Sequence, residues 1–380
     1  MNRSFLKISF IAVLFLLTLS AHSYATEVEE NDFDYAGIRN LGMGGAFIGF
    51  PADYNAPLTN PAGMSFLPER YFYILDTRIG VNDDIKYFVD AALSLKDDLG
   101  ESMTSDQMTK IADIVTEGIT KKPQIFATMP LNIGITAKSW AIGITNRENV
   151  AVRLFGLAPV YNIDVNFRAD VLAFAAISHK FTPKLSVGLT GKYLVRTKIA
   201  ETYNLLELAG GDFTPKLDLG FGIGADAGVF YNVFDSLSVG VTVKNFISSI
   251  SWKQMTLDET GTSIPLDSTK LPMNIGAGIA FKPDIKIPLK IFKNPIFVLD
   301  MDDITNTDKN IFKKIHAGFS LDALWLFNIR GGINQGWTTF GVGVDLFFLQ
   351  LEYAYYGQEL GVLPGQIPEY KHMASLAVRF

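Results

Sequence analysis

Apolar and polar residues alternate along most of the chain after Arg70, with a period of two that predicts β-strands. The stretch 161–180 sets Ile163, Val165, Phe167, Ala169 and Val171 on one face against Asp164, Asn166, Arg168 and Asp170 on the other. In 184–198, Leu185, Val187, Leu189, Tyr193 and Val195 oppose Ser186, Thr190, Lys192 and Arg196. In 216–232, Leu217, Leu219, Phe221 and Ile223 oppose Asp218, Gly220, Gly222 and Gly224. Counting by alternation predicts fourteen strands: 70–81, 128–138, 139–149, 161–180, 184–198, 216–232, 236–250, 272–282, 294–302, 312–321, 325–333, 336–347, 348–357 and 371–380. The charged residues share one face, which suits either a water-filled barrel interior or the wet side of a sandwich.

The connections separate these two. Those after even-numbered strands are mostly short, as at 137–140, 180–184 and 232–236. Most of those after odd-numbered strands are long: 82–127, 150–160, 199–215, 251–271 and 358–370. Long 283–293 and short 334–335 break the rule. Short turns at one end and long loops at the other are the habit of a transmembrane antiparallel β-barrel, and a sandwich has no reason to alternate. The last strand ends on Phe380. In a soluble sheet that edge would invite pairing with other chains, whereas in a closed barrel it pairs with the first strand and the ring faces lipid.

The long connection 82–127 carries a helical period. Phe88, Ala91, Ala92, Leu95 and Leu99 recur at that spacing, and after Ser105 as N-cap so do Met108, Ile111, Val115 and Ile119. Two short amphipathic helices on an external loop either pack on each other and the rim or cover the mouth as an apolar lid. Between 184 and 240 a small echo appears, Leu185-Ser186-Val187-Gly188 and Leu237-Ser238-Val239-Gly240. It reflects shared barrel composition or an old duplication.

Hydrophobic residues make up 48% of the chain, yet after the first 25 residues no apolar run is long enough for a membrane-spanning helix, which leaves strands to carry the hydrophobicity. Residues 1–25 read as a cleaved secretory signal: Arg3 and Lys7, an apolar run from Ile8 to Leu19, then Ser23-Tyr24-Ala25. Its loss takes the formal charge from −6 to −8, which argues against nucleic acid. There is no cysteine and there are four histidines, so disulfides, a thiolate nucleophile and a metal centre are not expected, and neither is a cofactor. No Ser/His/Asp pattern stands out, and the acidic pairs Asp97-Asp98 and Asp302-Asp303 fall in loops or at strand ends, so no enzyme activity is expected.

Ahead of the strands lies a Gly-rich stretch with Gly42, Gly44 and Gly45, then Asp53, then Asn60-Pro61-Ala62-Gly63. It lacks the spacing of a phosphate-binding loop. This stretch resembles the start of the FadL-type family of outer-membrane long-chain fatty acid transporters. The stretches 331–336 and 355–361 look like the closing hairpins of a branch that includes PorV-like and TraF-like barrels, and the terminal Phe380 resembles the signal read by the barrel-assembly machinery. The resemblance implies a signal peptide at 1–25, a plug or hatch at 26–69 folded inside the lumen, and a barrel from 70 to 380 in the outer membrane of a Gram-negative-type bacterium. It implies passive passage of a hydrophobic or amphipathic, fatty-acid-like solute past the plug, with outer-membrane lipid as surroundings. A PorV-like alternative is a docking barrel with a secretion-system partner. Inward Arg168, Lys192 and Arg196 either meet an anionic headgroup or pair with neighbours such as Asp164 and Asp170.

Overall fold

The structure is a computed structural model, and it describes residues 37–51, 53–68, 70–95, 105–118, 124–128, 132–157, 160–204, 216–256, 262–284, 292–324 and 326–380. The expected signal peptide and residues 26–36 lie outside these. The strands are β1 (Tyr71–Asn82), β2 (Gln124–Thr128), β3 (Ile133–Thr136), β4 (Trp140–Leu157), β5 (Val160–Lys180), β6 (Leu185–Asn204), β7 (Lys216–Phe234) and β8 (Leu237–Thr256). They continue as β9 (Ser263–Thr269), β10 (Asn274–Phe281), β11 (Phe292–Met301), β12 (Ile315–Ala323), β13 (Phe327–Asn334), β14 (Trp337–Leu346), β15 (Leu349–Glu359) and β16 (Pro368–Arg379).

Every neighbour is antiparallel, and β1 pairs with β16 from Tyr73↔Arg379 to Asn82↔Lys371, which closes the sheet on itself. Since β2 and β3 lie end to end between β1 and β4, and β9 and β10 both lie along β8, the sixteen strands make fourteen staves. Closure leaves no unpaired edge. Exposed Ile79, Ile142, Ile177, Ile223, Ile247 and Leu299 stand on the outer face, and Phe181, Phe234, Phe348 and Phe380 gather where both ends of the barrel chain meet, here called the lower end. Phe72 and Phe380 exchange backbone hydrogen bonds of 2.9 and 2.8 Å, and the Phe380 ring stacks on Phe72 and Phe348.

Between β9 and β10 stands Pro272, where the ladder needs an N–H that proline lacks. Asparagines mend the wall. Asn132 donates from Nδ2 to the Asp76 carbonyl of β1 and accepts at 2.8 Å from the Asn146 N–H of β4, bridging the flanking staves. At the Pro272 gap Asn245, with φ +55, sits where the β7/β8 register shifts, and its Nδ2 donates to the Pro272 carbonyl at 3.2 Å.

Several expected bounds are corrected. Among the described residues the expected strand 128–138 falls in two strands, β2 and β3, so the expected loop 82–127 ends in β2. The expected loop 150–160 does not exist: β4 runs to Leu157 and pairs back at Leu157↔Val160. The polar run Asn146-Arg147-Glu148-Asn149 reads as a strand end, but pairs Arg147↔Asp170 and Asn149↔Arg168 carry the ladder through it. Above the apolar band both faces of a wall are wet, so alternation fades while hydrogen bonding continues. For the same reason β6 extends to Asn204, β8 to Thr256, and β9 occupies much of the expected loop 251–271.

The wall is uneven in height. β5 has 21 residues, about 70 Å along the strand, while β13 has 8, under 30 Å. Between β1 and β2, at the upper end, stand helices spanning Ile85–Leu95 and Ser105–Gly118, joined by Tyr87 Oη donating to the Ile114 carbonyl at 2.6 Å. Ser105 is the first residue of its helix rather than the cap. The side chains of the two expected stripes, Phe88 to Leu99 and Met108 to Ile119, lie outside the described residues.

Candidate functional site in the lumen

Residues 37–67 lie inside the barrel, folded as a short helix α1 (Ile38–Gly42), a second α2 (Ala56–Thr59) and a 3-10 turn (Pro61–Phe66). Inward residues of the wall bind this inner segment around most of the circumference. On β14, Thr339 Oγ1 donates to the Gly42 carbonyl at 3.2 Å. On β12, His316 Nδ1 meets the Gly44 carbonyl at 2.9 Å. On β11, the Asp300 carboxylate accepts the consecutive N–H groups of Phe47, Ile48 and Gly49. On β8, Ser238 Oγ donates to the Gly49 carbonyl at 2.8 Å. Ser186 of β6 and Ser178 of β5 donate to the Ala62 carbonyl at 2.7 and 3.2 Å, and Thr190 Oγ1 donates to the Pro57 carbonyl at 2.5 Å. Thr136 of β3 donates to the Tyr54 carbonyl at 3.0 Å.

The sequence echo finds its cause here. In each Leu-Ser-Val-Gly copy the serine donates to a carbonyl of the inner segment, and the glycine two residues on leaves no Cβ where that segment passes. A methyl on Gly188 would overlap the Pro61–Ala62 peptide, and one on Gly240 the Ile48 carbonyl. The inner segment lies on the wall backbone itself, and two serine-glycine pairs recur because two staves do the same job.

The residues singled out in the segment are placed as follows. Gly42 lies against Gly341, where a Cβ would stand 2.9 Å from that Cα, and Gly44 and Gly45 adopt φ of +71° and +80°, a turn that L side chains resist. Asp53 is buried and caps the chain by accepting from the Asn55 N–H at 2.8 Å. Burial pushes its carboxyl above the usual range, against the pull of Arg39. Asn60 is fully buried: Nδ2 donates to the carbonyls of Ile48 and Val229, each at 3.2 Å, and Oδ1 accepts from Ala62. It ties the two halves of the segment to each other and to β7. Pro61 opens the 3-10 turn, and Gly63 closes it on the Asn60 carbonyl at 2.9 Å, with Pro51 filling the space a Cβ would need.

The three expected lumen cations are paired. Arg168 and Arg196 both bind Asp170, at 2.8 and 2.7 Å, which brings two of the three expected residues together. Lys192 stands apart from them, bound to Asp226 at 2.6 Å and to Asn245 Oδ1 at 2.7 Å, so it holds the register shift that carries the second wall break. Sequence inspection did not single out Asp300. Its signal was a lone carboxylate on the inward face shared with Ile296 and Val298.

Above the inner segment the wall turns apolar on its inner face. Leu172, Leu194, Ile250, Trp252 and Leu271 form a buried cluster on the tall side, and Leu58 of α2 packs against it. Leu58 also lines a small cavity of about 10 Å³ beside Asn132, with Tyr54, Tyr73, Asp76, Arg78 and Phe174 among its walls. Asp76 and Arg78 pair there at 2.6 Å, next to Leu75, whose φ of +56° marks a bulge in β1.

No protein-family model and no curated protein matches the sequence. Solved structures do match. A deltaS2 mutant of the TodX monoaromatic hydrocarbon channel is 12% identical, with a TM-score of 0.51 over 92% of this chain and 98% of that one. A Pseudomonas aeruginosa FadL homologue is 11% identical with a TM-score of 0.48, covering 91% and 98%. The Ralstonia pickettii toluene transporter TbuX is 13% identical with a TM-score of 0.47, covering 90% and 97%. At such identity the likeness to TodX is one of fold.

Proposed function

We propose that this barrel, which shares its fold with a hydrocarbon channel, sits in an outer membrane and passes hydrophobic or amphipathic small molecules across it without an energy source. Residues 26–69 act as a plug and 70–380 as the barrel, with the helical loop between β1 and β2 on the external side and the lower end in the periplasm. The observation that carries this reading is the apolar cluster on the inner wall. Barrel interiors are normally polar, and a water-filled pore gains nothing from burying Leu172, Leu194, Ile250 and Trp252 inward. A greasy solute that parts these side chains and takes their place against one another does gain, by leaving water at roughly 25 cal/mol per Å² of its apolar surface buried.

Leu58 continues the apolar surface into the plug, so the solute's path runs from the external mouth along the tall wall to the point where the plug must yield. The plug is held by these polar contacts and by two apolar clusters, Met43, Ala46 and Phe50 against Ile296 and Val298, and Met64 and Leu67 against Phe174, and it parts from both when it yields. The test is uptake into proteoliposomes. Leu194→Asp places a charge in the middle of the cluster, and toluene uptake should fall at least tenfold while the barrel keeps its heat-modifiable gel mobility. Unchanged uptake would remove the inner-wall route.

A further inference from the structure

The apolar surface of the short wall does not stop where its strands stop. β12, β13 and β14 have 9, 8 and 10 residues. At about 3.3 Å per residue and a tilt of about 40°, β13 rises roughly 20 Å, less than the apolar band of about 25 Å that an outer-membrane barrel presents to lipid. β5, with 21 residues, rises roughly 50 Å on the same reckoning and stands well clear of that band. Exposed Phe297, Phe319, Phe340 and Leu351 cover the outward face of the short staves. What these staves are too short to cover, the connections at both ends supply.

At the lower end, β12 and β13 are joined by Leu324-Trp325-Leu326, and β14 and β15 by Phe347-Phe348, with no charged or hydroxyl-bearing residue in either. Leu324 has φ +56° and Phe347 φ +53°, left-handed positions that glycine, asparagine or aspartate takes in most tight hairpins. Phe347 is also 94% exposed, so in water neither its backbone nor its ring would gain from the position. The lower turns of the tall wall are built otherwise. Lys138 lies in 137–139, Lys184 in 181–184 and Asp235 in 235–236, and Thr182 Oγ1 accepts the N–H groups of Lys184 and Leu185 at 3.2 and 3.0 Å. Turn chemistry therefore follows wall height.

At the upper end, Ile311 and Phe312 of a 3-10 turn (Ile311–Lys314) and Val362 and Leu363 of the loop 360–367 are exposed. Lys313 Nζ donates to the Gly361 carbonyl at 2.7 Å and ties the two segments together. The polar groups beneath these side chains are satisfied from within. The Glu359 carboxylate accepts the N–H groups of Gly361, Gly365, Gln366 and Ile367 at 2.7, 2.6, 3.1 and 2.8 Å, and Lys314 Nζ donates to the Ile304 carbonyl at 3.4 Å. A loop whose backbone donors are met internally can touch hydrocarbon without stranding them.

We propose that the short wall is submerged in the membrane from rim to rim: Leu324, Phe347 and Phe348 reach the acyl chains of the inner leaflet, and Ile311, Phe312, Val362 and Leu363 those of the outer leaflet. The tall wall alone then projects from the surface. The occupant is lipid hydrocarbon, continuous with that along the staves between the rims, and it accounts for both rims at once, where a protein on one side of the membrane accounts for one. The inference rests on the barrel spanning a membrane and not on what it passes.

The chain has no cysteine, so single cysteines report each position in the full-length protein. Phe347→Cys, Val362→Cys and, on the tall wall, Asp235→Cys carry a nitroxide label in barrels held singly in phosphatidylcholine nanodiscs. Collision with oxygen, which concentrates in hydrocarbon, should exceed collision with a water-soluble nickel chelate at 347 and 362, and the order should reverse at 235. A chelate-dominated signal at 347 or 362 would refute submersion of that rim. Shielding from both reagents in crowded liposomes that is replaced by chelate access in nanodiscs would put a second copy of the chain there in place of lipid. The sign of a second measurement is independent of labelling. Asparagine accepts a left-handed turn, so Phe347→Asn would raise the urea midpoint of a turn in water and should lower that of one in lipid. A raised midpoint would overturn the lower half of the proposal.

Discussion

Asp300 offers the sharpest test of how the plug is held. Its carboxylate is 2% exposed and receives three consecutive backbone N–H groups, two on Oδ2 and that of Gly49 on Oδ1 at 3.3 Å. In Asp300→Asn one oxygen remains for Phe47 and Ile48, now without charge assistance, and the new NH2 faces the Gly49 donor. The change from charged to neutral acceptors removes about 1 kcal/mol per bond, and an unsatisfied buried N–H costs a further 1–3 kcal/mol. Relief of the buried charge offsets part of this, leaving about 2 kcal/mol against the seated plug. Asp300→Ala strands all three donors and should cost about 4 kcal/mol. At 1.4 kcal/mol per decade, exchange of the Phe47, Ile48 and Gly49 amides should speed up by about 30-fold in the first variant and about 1,000-fold in the second, if these amides exchange by local opening. Hydrogen–deuterium exchange read by mass spectrometry on the folded barrel measures this, with the β5/β6 ladder as internal reference. Unchanged exchange in Asp300→Ala would refute the claim that this carboxylate latches the segment.

Other outcomes follow from the same contacts. The chain has no cysteine, so Asn60→Cys with Gly228→Cys gives a clean cross-link between plug and β7, since a Cβ on Gly228 would lie 3.2 Å from Asn60 Cγ. Oxidation should abolish toluene uptake and reductant restore it, and equal uptake in both forms would rule out a moving plug. Lys192→Met leaves the buried Asp226 carboxylate without its ion-pair partner, though still accepting the Asn245 N–H, and should destabilise the barrel by about 3 kcal/mol, while adding Asp226→Leu should recover part of it in urea titrations. Gly240→Ala should leave β8 intact but disturb the plug at Ile48 by about 1–3 kcal/mol, visible as faster exchange at 47–49 only. For Lys282 the folded pKa lies below the ordinary 10.5, so between about 8 and 10.5 the folded state binds fewer protons than the unfolded one. Stability should therefore rise with pH across that window, modestly because the group is partly solvated, and Lys282→Gln should flatten the rise in urea midpoints.

Local pattern alone determined the fourteen staves, the long connection after the first of them, the closing of Phe380 beside the first strand and the presence of two helices in that connection. Each depends on side-chain period or chain length, quantities that neighbouring residues fix among themselves. The glycines at 42, 44 and 45 and the Asn60-Pro61-Ala62-Gly63 step could likewise be picked out, because tight backbone geometry leaves few residue choices. Strand ends were misplaced where the wall leaves the apolar band, since a ladder wet on both faces carries no hydrophobic period. Only the tertiary structure decided which lumen charges are already matched: Asp170 lies 26 residues from Arg196, and Asp226 lies 34 from Lys192. It alone brought Asp300 to Phe47 across 253 positions and showed why two distant Ser-x-Gly steps recur. Such meetings depend on stave order and shear around a closed circle, which every residue of the barrel sets together and no single stretch encodes.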